Sequence, residues 1–461
     1  MKKKLLLFVM ILLPMVASAD AVEINGIYYN LITKGNIAEV TNNPNKYSGS
    51  ISIPENVSYN NVDYNVTSIG EAAFSECSSL TSLVIPNSVT SIRDFAFAGC
   101  NGLTSLSIPN SVTTIGIAVF DRCSNITSIT IPNSVVSIGN NVFMNCSGLT
   151  SVAISNSVTT IGREAFSECS SLTSLTIPNS VTYIGEKAFY GCSSLTSITI
   201  PNSVTNISDG AFQNCSSLAS LIIPNSVTTI GREAFSECSG LTSLTISNSV
   251  TDIGYRAFNF CSSLASLIIP NSVTYIGREA FFYCKSLTSL TISNSVTDIG
   301  SDAFANCSSL TSLTIPNSVI HIEDDSFWGC SGLTSIIIGS GIKTIGKGTF
   351  ASCTNLVDVY CYAESVPSTG SDVFLDSYIE YATLHVAKGC IDAYKSVEPW
   401  KSFKTIVEDG GTSINIIENS AFKEPFNVYD LNGRKVLTHV TSLDGLPNGV
   451  YIINGKKVIM K

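Results

Sequence analysis

From Cys77 onward the apolar residues return with a fixed spacing. One stretch reads Cys169-Ser-Ser-Leu172-Thr-Ser-Leu175-Thr-Ile177-Pro178-Asn-Ser-Val181-Thr-Tyr-Ile184-Gly185-Glu-Lys-Ala188-Phe189-Tyr-Gly, and the pattern restarts at Cys192. With columns numbered from the cysteine, apolar side chains fill columns 4, 7, 9, 13, 16, 20 and 21. The cysteines of column 1 are Cys77, Cys100, Cys123, Cys146, Cys169, Cys192, Cys215, Cys238, Cys261, Cys284, Cys307, Cys330 and Cys353, and 353 − 77 = 276 = 12 × 23. A fixed period of this size marks a solenoid, in which each unit buries its apolar columns against its neighbours.

The spacing inside the unit predicts local structure. Leu175 and Ile177 follow the two-residue alternation of a short strand. Pro178-Asn179-Ser180 reads as a turn, because Pro lacks the backbone donor and Asn and Ser bond their own backbone. Val181 and Ile184 form a second inward stretch, Gly185 allows a backbone bend, and Ala188-Phe189 fill the wide end of the coil. Each large apolar side chain contributes about 1.5–3 kcal/mol once buried. The expected fold is a β-rich solenoid of 23-residue coils with parallel, in-register strands, capped at both ends and followed by a small β module.

The flanks divide the chain further. Lys2–Lys4, the apolar run Leu5–Val16 and Ala17-Ser18-Ala19 have the three parts of a secretory signal peptide over residues 1–19, so the mature chain is expected to start at Asp20. The run is short of the ~20 residues that span a bilayer. No later segment is longer, so no transmembrane span is expected, and no Cys follows the cleavage site to carry a lipid. Residues 20–47 read as a cap, with a hairpin between Tyr28 and Val40 turning at Lys34-Gly35-Asn36. The solenoid covers 48–353, opened by the half unit Ile51-Ser52-Ile53-Pro54, and 354–408 closes it. Residues 409–420 read as a linker and 421–461 as a module with hairpins at Asn432-Gly433-Arg434 and Asn454-Gly455-Lys456.

The pattern C-x-x-L-x-x-L-x-I-P-x-x-V-x-x-I-G-x-x-A-F-x-x is similar to the BspA-type, or Treponema-type, leucine-rich repeat. It recurs twelve times, with Ser155, Ser247 and Ser293 in place of the Pro and with Gly339 and Thr349 as departures in the last unit. The resemblance implies that the small column-1 side chain donates to a turn, as in the Asn/Cys ladder of such repeats. It also implies adhesion to host matrix proteins or other bacteria. The strings VYDLNGRKV and LPNGVYIINGKKVIMK resemble the C-terminal sorting domain of type IX secretion in Bacteroidetes. That implies passage through the outer-membrane secretion machinery, removal of the segment, and a secreted or cell-surface location.

Fifteen cysteines in an exported chain raise the question of disulfides. In-register columns hold Cβ atoms about 4.8 Å apart, beyond the ~3.8 Å a bridge prefers, and thirteen is odd. The column is therefore expected to be free, buried thiols. Cys361 and Cys390 lie out of register, which leaves a bridge between them open. Zinc needs clustered ligands such as C-x-x-C, and the sequence has none.

Composition narrows the function. Lys+Arg number 25 against 35 Asp+Glu, a net charge of −10, which argues against nucleic acid as a partner. The 44% hydrophobic content argues against disorder. Gly341 to Lys347 follows the start of a phosphate-binding loop but continues with Gly348 rather than Ser or Thr. His321, Glu323, Asp324 and Asp325 form the densest polar cluster and read as a solvated bend rather than a metal site. With three His, no nucleophile–base order can be assembled, so no catalytic residue, metal or cofactor is expected and the chain does not read as an enzyme.

The outward columns carry the remaining information. Column 5 is Thr except at Ala219 and Ala265, and column 6 is Ser throughout. These are β-favouring residues of an exposed sheet or, alternatively, a hydroxyl face for a glycan or ice. Columns 15, 18, 22 and 23 vary and hold Tyr183, Tyr190, Tyr255, Phe260, Tyr275, Phe282, Tyr283 and Trp328. Exposed aromatics at variable positions suit protein recognition, while packing between coils is the competing use. Exact copies such as SLASLIIPNSV at Ser217 and Ser263 show duplication, which binding surfaces tolerate better than catalytic sites do. The expectation is a secreted or surface-displayed binding protein whose protein ligand contacts the later two thirds of the solenoid. Its rival is a structural surface or matrix protein without a specific ligand.

Overall fold

The computed structural model describes residues 21–409 and, beyond them, the strands Phe426–Asp430, Lys435–Val440, Gly449–Ile453 and Lys456–Met460. The signal segment 1–19 and nearly all of the linker lie outside the described residues. The chain winds into a solenoid of about 15 turns of ~23 residues.

Each coil has three walls. Columns 6–8 form the first strand ladder: Ser174–Thr176 pairs in parallel with Ser197–Thr199, with Leu175 opposite Ile198. Columns 15 and 16 form the second, with Tyr183–Ile184 beside Thr160–Ile161. Both use the predicted columns, since alternation sends Leu175 inward and its Ser and Thr neighbours out. The second ladder runs unbroken through eight strands, from Asn206–Ile207 to Ser368–Thr369.

The third wall is built from turns. Glu164 and Glu168 of columns 19 and 23 adopt left-handed φ of 52° and 59°, and most coils repeat this. Left-handed backbone costs a non-glycine residue about 1 kcal/mol or more. Here it aims alternate N–H groups at the next coil: Glu164 N–H donates to Glu186 O at 2.9 Å and Phe166 N–H to Ala188 O at 2.8 Å. Gly185 serves close approach rather than a bend, since a Cβ there would lie 2.6 Å from both the Arg163 nitrogen and the Gly162 carbonyl carbon. The left-handed turns fall two and six residues later.

Two internal ladders hold the coils in register. From Phe74 to Phe374 the column-21 rings stack at centroid separations such as 5.4 Å for Phe97–Phe120 and 5.3 Å for Phe235–Phe258. Beside them each column-1 thiol from Cys100 to Cys353 donates to the phenylalanine carbonyl of the preceding coil, as Cys169 does to Phe143 O at 3.1 Å and Cys238 to Phe212 O at 3.3 Å. That carbonyl also accepts a backbone N–H from its own coil, as Phe212 O does from Cys215. Burial pushes the thiols up, Cys146, Cys238 and Cys330 to about 12.

All fifteen cysteines are free. Cys361 and Cys390 are not bridged: the Tyr394 hydroxyl lies 3.2 Å from Cys361 Sγ, and Cys390 Sγ–H donates to Glu364 O at 3.5 Å. The thiol ladder has a further rung of different chemistry, because buried Ser377 donates to Phe350 O at 2.6 Å.

The hydroxyl columns have a stacking role. Thr150 Oγ1 donates to Thr127 O at 2.9 Å, Thr242 to Ala219 O at 3.0 Å and Thr334 to Thr311 O at 3.1 Å, each reaching the preceding coil. Ser155, Ser247 and Ser293, which replace Pro, donate to the Pro132, Pro224 and Pro270 carbonyls. Part of column 5 of the hydroxyl face is thus occupied in joining coils.

At the amino end Val22–Ile24, Ile27–Ile32 and Ile37–Val40 form an antiparallel sheet, with Ile32 opposite Ile37 across Lys34-Gly35-Asn36. Its last strand pairs in parallel with Val62–Ile69, which leads into the second ladder. Past Cys353 the first ladder continues through Asp358–Cys361, Thr383–Val386 and Thr405–Glu408, with Ile337, Tyr360, His385 and Val407 in one row. The four last strands pair antiparallel, and Ile453 faces Lys456 across Asn454-Gly455. Among the described residues no helix is long and apolar enough to cross a membrane.

Candidate binding surface

The eight aromatic candidates separate by wall. Tyr183 and Tyr275 project from the second ladder, both exposed. They stand four coils apart, since 275 − 183 = 92 = 4 × 23. Burial, and then the negative charge of Glu323, raise the Tyr275 phenol. The structure does not bring these two together.

Tyr255 is used within the molecule. Arg232 and Arg256 lie over its ring at 5.3 and 4.8 Å, and its hydroxyl donates to Glu279 at 3.3 Å. Glu279 is buried and also pairs with Arg256 at 2.6 Å and Arg278 at 3.3 Å. For Tyr255, packing between coils is the role. Tyr190 is half-buried, its phenol raised first by burial and then by Glu168 and Glu237.

Three candidates do converge. On the turn wall Phe260 meets Phe282 edge-on at 5.6 Å and Tyr283 at 4.9 Å, and Phe282 and Tyr283 stack at 5.9 Å. Lys285 Nζ sits 4.1 Å from the Tyr283 ring centre. Phe260 remains 39% exposed. Phe260 and Tyr283 line a shallow groove of about 460 Å³ with Asn214, Glu237, Ser239 and Ser262. Asn214, Glu237, Phe260 and Tyr283 are column 23 of four successive coils, so the groove follows the solenoid axis. Trp328, also exposed, stands two coils beyond Phe282 on the same wall.

The cluster around His321 resolves into internal contacts. His321 Nδ1 lies 2.8 Å from Thr344 Oγ1, Glu323 accepts from Ser301 N–H at 2.9 Å, and Asp324 accepts from Lys347 N–H at 2.7 Å. Among the described residues no group of three or more His, Cys, Asp and Glu is placed to hold a metal ion.

Sequence reasoning missed other aromatic features, among them exposed Tyr378 and Tyr381. Phe95 is 42% exposed on column 19, outside the columns flagged as variable. Tyr360 stacks on His385 at 4.2 Å, and His385 Nε2 lies 2.9 Å from Asp358. That pair is 25 residues apart in sequence, so the 23-residue count does not align it.

Residues 50–173, 159–288 and 274–394 match the family described as BspA type leucine rich repeat region. The chain belongs to the BspA-type leucine-rich repeat family. A crystal structure of a leucine-rich repeat protein from Bacteroides ovatus is similar at 31% identity and a TM-score of 0.65, over 74% of this chain and 94% of that one. A leucine rich cell surface protein from Faecalibacterium prausnitzii is also 31% identical over the same shares, with a TM-score of 0.47. The pneumococcal vaccine antigen PcpA shows 20% identity over 85% of this chain and 99% of its own, with a TM-score of 0.46. No curated protein matches the chain. Within this BspA-type solenoid, the thiol and phenylalanine ladders are scaffold, and the turn wall is where coils differ most in exposed chemistry.

Proposed function

We propose that this chain is a secreted or surface-displayed adhesin that binds a host matrix or bacterial surface protein through its turn wall. The observation that carries the reading is the Phe260–Phe282–Tyr283 cluster, in which Phe260 is exposed, Phe282 and Tyr283 are half-buried, and Phe260 and Tyr283 line a groove. Aromatic anchors supply a large share of the energy in typical interfaces, about 2 kcal/mol or more each at hot spots. The signal-like residues 1–19 and the sorting-like strings after Phe426 support export, with type IX machinery as the route. A neighbour described as a cell surface protein supports the same location. No catalysis and no cofactor are assigned, and the candidate ligand residues are Phe260, Phe282 and Tyr283, with Tyr183, Tyr275 and Trp328 as separate exposed positions.

The test passes the mature chain over immobilised host matrix, mucosal and bacterial surface proteins. Saturable binding that the free chain competes away is expected. Signal that never saturates on any surface would favour a structural matrix protein without a specific ligand.

A further inference from the structure

The turn wall shows, with its own side chains, which chemistry it accepts. At Tyr255 two guanidinium groups cover the ring, and Glu279 supplies the countercharge. At Tyr283 the Lys285 ammonium covers the ring. One coil earlier on the same wall Phe260 and Glu237, both exposed, line the groove together. There, among the described residues, no Lys or Arg reaches Glu237 within ion-pair distance. A cation over an aromatic face gains about 0.5–1 kcal/mol when exposed and about 2 or more when desolvated. An adjacent carboxylate adds charge-assisted hydrogen bonds to it.

Internal duplication points to the same place. Residues 215–260 and 261–306 are copies that differ at nine of 46 positions, leaving 46 − 9 = 37 identical. Five of the nine differences fall in columns 22, 23 and 2: Ser236/Phe282, Glu237/Tyr283, Ser239/Lys285, Asn259/Ala305 and Phe260/Asn306. The exposed first-ladder positions are unchanged, including Ile222 and Ile268 at 69% and 67% exposure. First-ladder hydroxyls such as Thr242 and Thr288 bond the preceding coil and are held by that role, so the turn wall is where the copies have diverged in surface chemistry.

We infer that the groove at Asn214, Glu237, Phe260 and Tyr283 takes an arginine or lysine side chain presented by an extended segment of a basic partner protein. This rests on the adhesin reading and names its partner's chemistry. The cation lies over Phe260 and pairs with Glu237, while Asn214, Ser239 and Ser262 offer hydrogen bonds to the segment's backbone. From Asn214 to Tyr283 is three coil steps, about 14 Å at ~4.8 Å per strand spacing, which accommodates about four extended residues. The chain's charge of −10 attracts such a partner from a distance.

The test uses the intact mature chain and two fluorescein-labelled probes, the peptide (Arg-Gly)4 and its citrulline counterpart, read by fluorescence anisotropy. Phe260→Asn and Glu237→Gln are the site variants. Asn already occupies column 23 with left-handed φ at Asn214 (60°) and Asn306 (62°), so the first variant keeps the backbone. Glu71→Gln, on an exposed carboxylate at the amino end, is the charge-matched control. The arginine probe is expected to bind at least tenfold tighter than citrulline, and each site variant to weaken it at least fivefold while the control does not. Equal weakening by Glu71→Gln would show diffuse attraction and overturn the site. Unchanged binding in Phe260→Asn overturns it as well. Should matrix proteins bind saturably while both site variants retain that binding, the groove is wrong and the adhesin reading stands. If no surface protein binds, that reading fails on its own test.

Discussion

Replacing Cys238 separates the two contributions of the thiol ladder. Its side chain is fully buried and its Sγ–H donates to Phe212 O at 3.3 Å. Cys238→Ala removes about one methylene-equivalent of buried apolar surface, ~0.8 kcal/mol. The cavity left, of the order of 20–25 Å³, adds about 0.5 kcal/mol. The lost hydrogen bond adds about 0.5–1 kcal/mol. Phe212 O keeps the Cys215 N–H, so no acceptor is stranded. The expected cost is about 2 kcal/mol. Cys238→Ser retains the donor, and Ser377 shows that a buried hydroxyl fits this place, donating to Phe350 O at 2.6 Å. Its expected cost is about 1 kcal/mol or less, the apolar share alone. A repeat array does not unfold in a single step, so the loss is read locally. Native-state hydrogen exchange of the Leu241 amide, which bonds Cys238 O at 3.0 Å, reports the coil. If Ser costs as much as Ala or more, the thiol contributes only its volume and the ladder bond is without energetic weight.

Three further outcomes are expected. Phe235→Ala, which leaves Phe212 and Phe258 without their 5.3 Å partner, should cost about 3–5 kcal/mol in local exchange, and Phe235→Leu, which restores apolar volume without a ring, less than half of that but still about 1 kcal/mol; a Phe235→Leu chain as protected as the parent would deny the ring stack a role. Burial raises the folded-state thiols, Cys146 and Cys238 to about 12 from a reference of 9.0, so the folded chain holds more protons than the unfolded one above that reference. The thiol contribution should therefore be level below about pH 8 and be lost steeply as pH rises from about 9 towards 12, so a urea unfolding curve that does not move between about pH 8 and 10.5 would contradict the burial. A thiol reagent at neutral pH should leave the native column untouched and titrate all fifteen cysteines once the chain is denatured without reductant; pairs mapped between adjacent coils would contradict the ladder.

The repeat made the scaffold legible because one period fixes the register of every coil. Once Cys169 and Cys192 share a column, Leu175 must face Ile198 and Phe166 must stack near Phe189. The turn wall was less legible. Left-handed φ at Glu164 and Glu168 is not marked by those residues themselves, only by Gly or Asn in the same column of other coils, such as Gly99, Asn145, Gly191 and Asn214. Column position also could not separate Tyr255, held by Arg232, Arg256 and Glu279, from Phe260, which is open. That distinction depends on charges brought from coils on either side. The Tyr360–His385 stack was hidden because the terminal coils change length while keeping register.

The central claim is that the turn wall of the two copied coil pairs is the binding face. Each pair already shows which residues the other tolerates, so exchange is the cleanest perturbation. A chain carrying Phe260→Asn and Phe282→Ser has at each position the residue of its twin, Asn306 and Ser236, leaves the charge of the wall unchanged, and should keep its fold by circular dichroism. The binding isotherm of this chain, beside that of the parent, on the surface protein the parent binds most tightly is the decisive measurement. A loss of at least tenfold, about 1.4 kcal/mol, is expected. Affinity equal to the parent's in a folded chain would place the contact elsewhere and contradict the account.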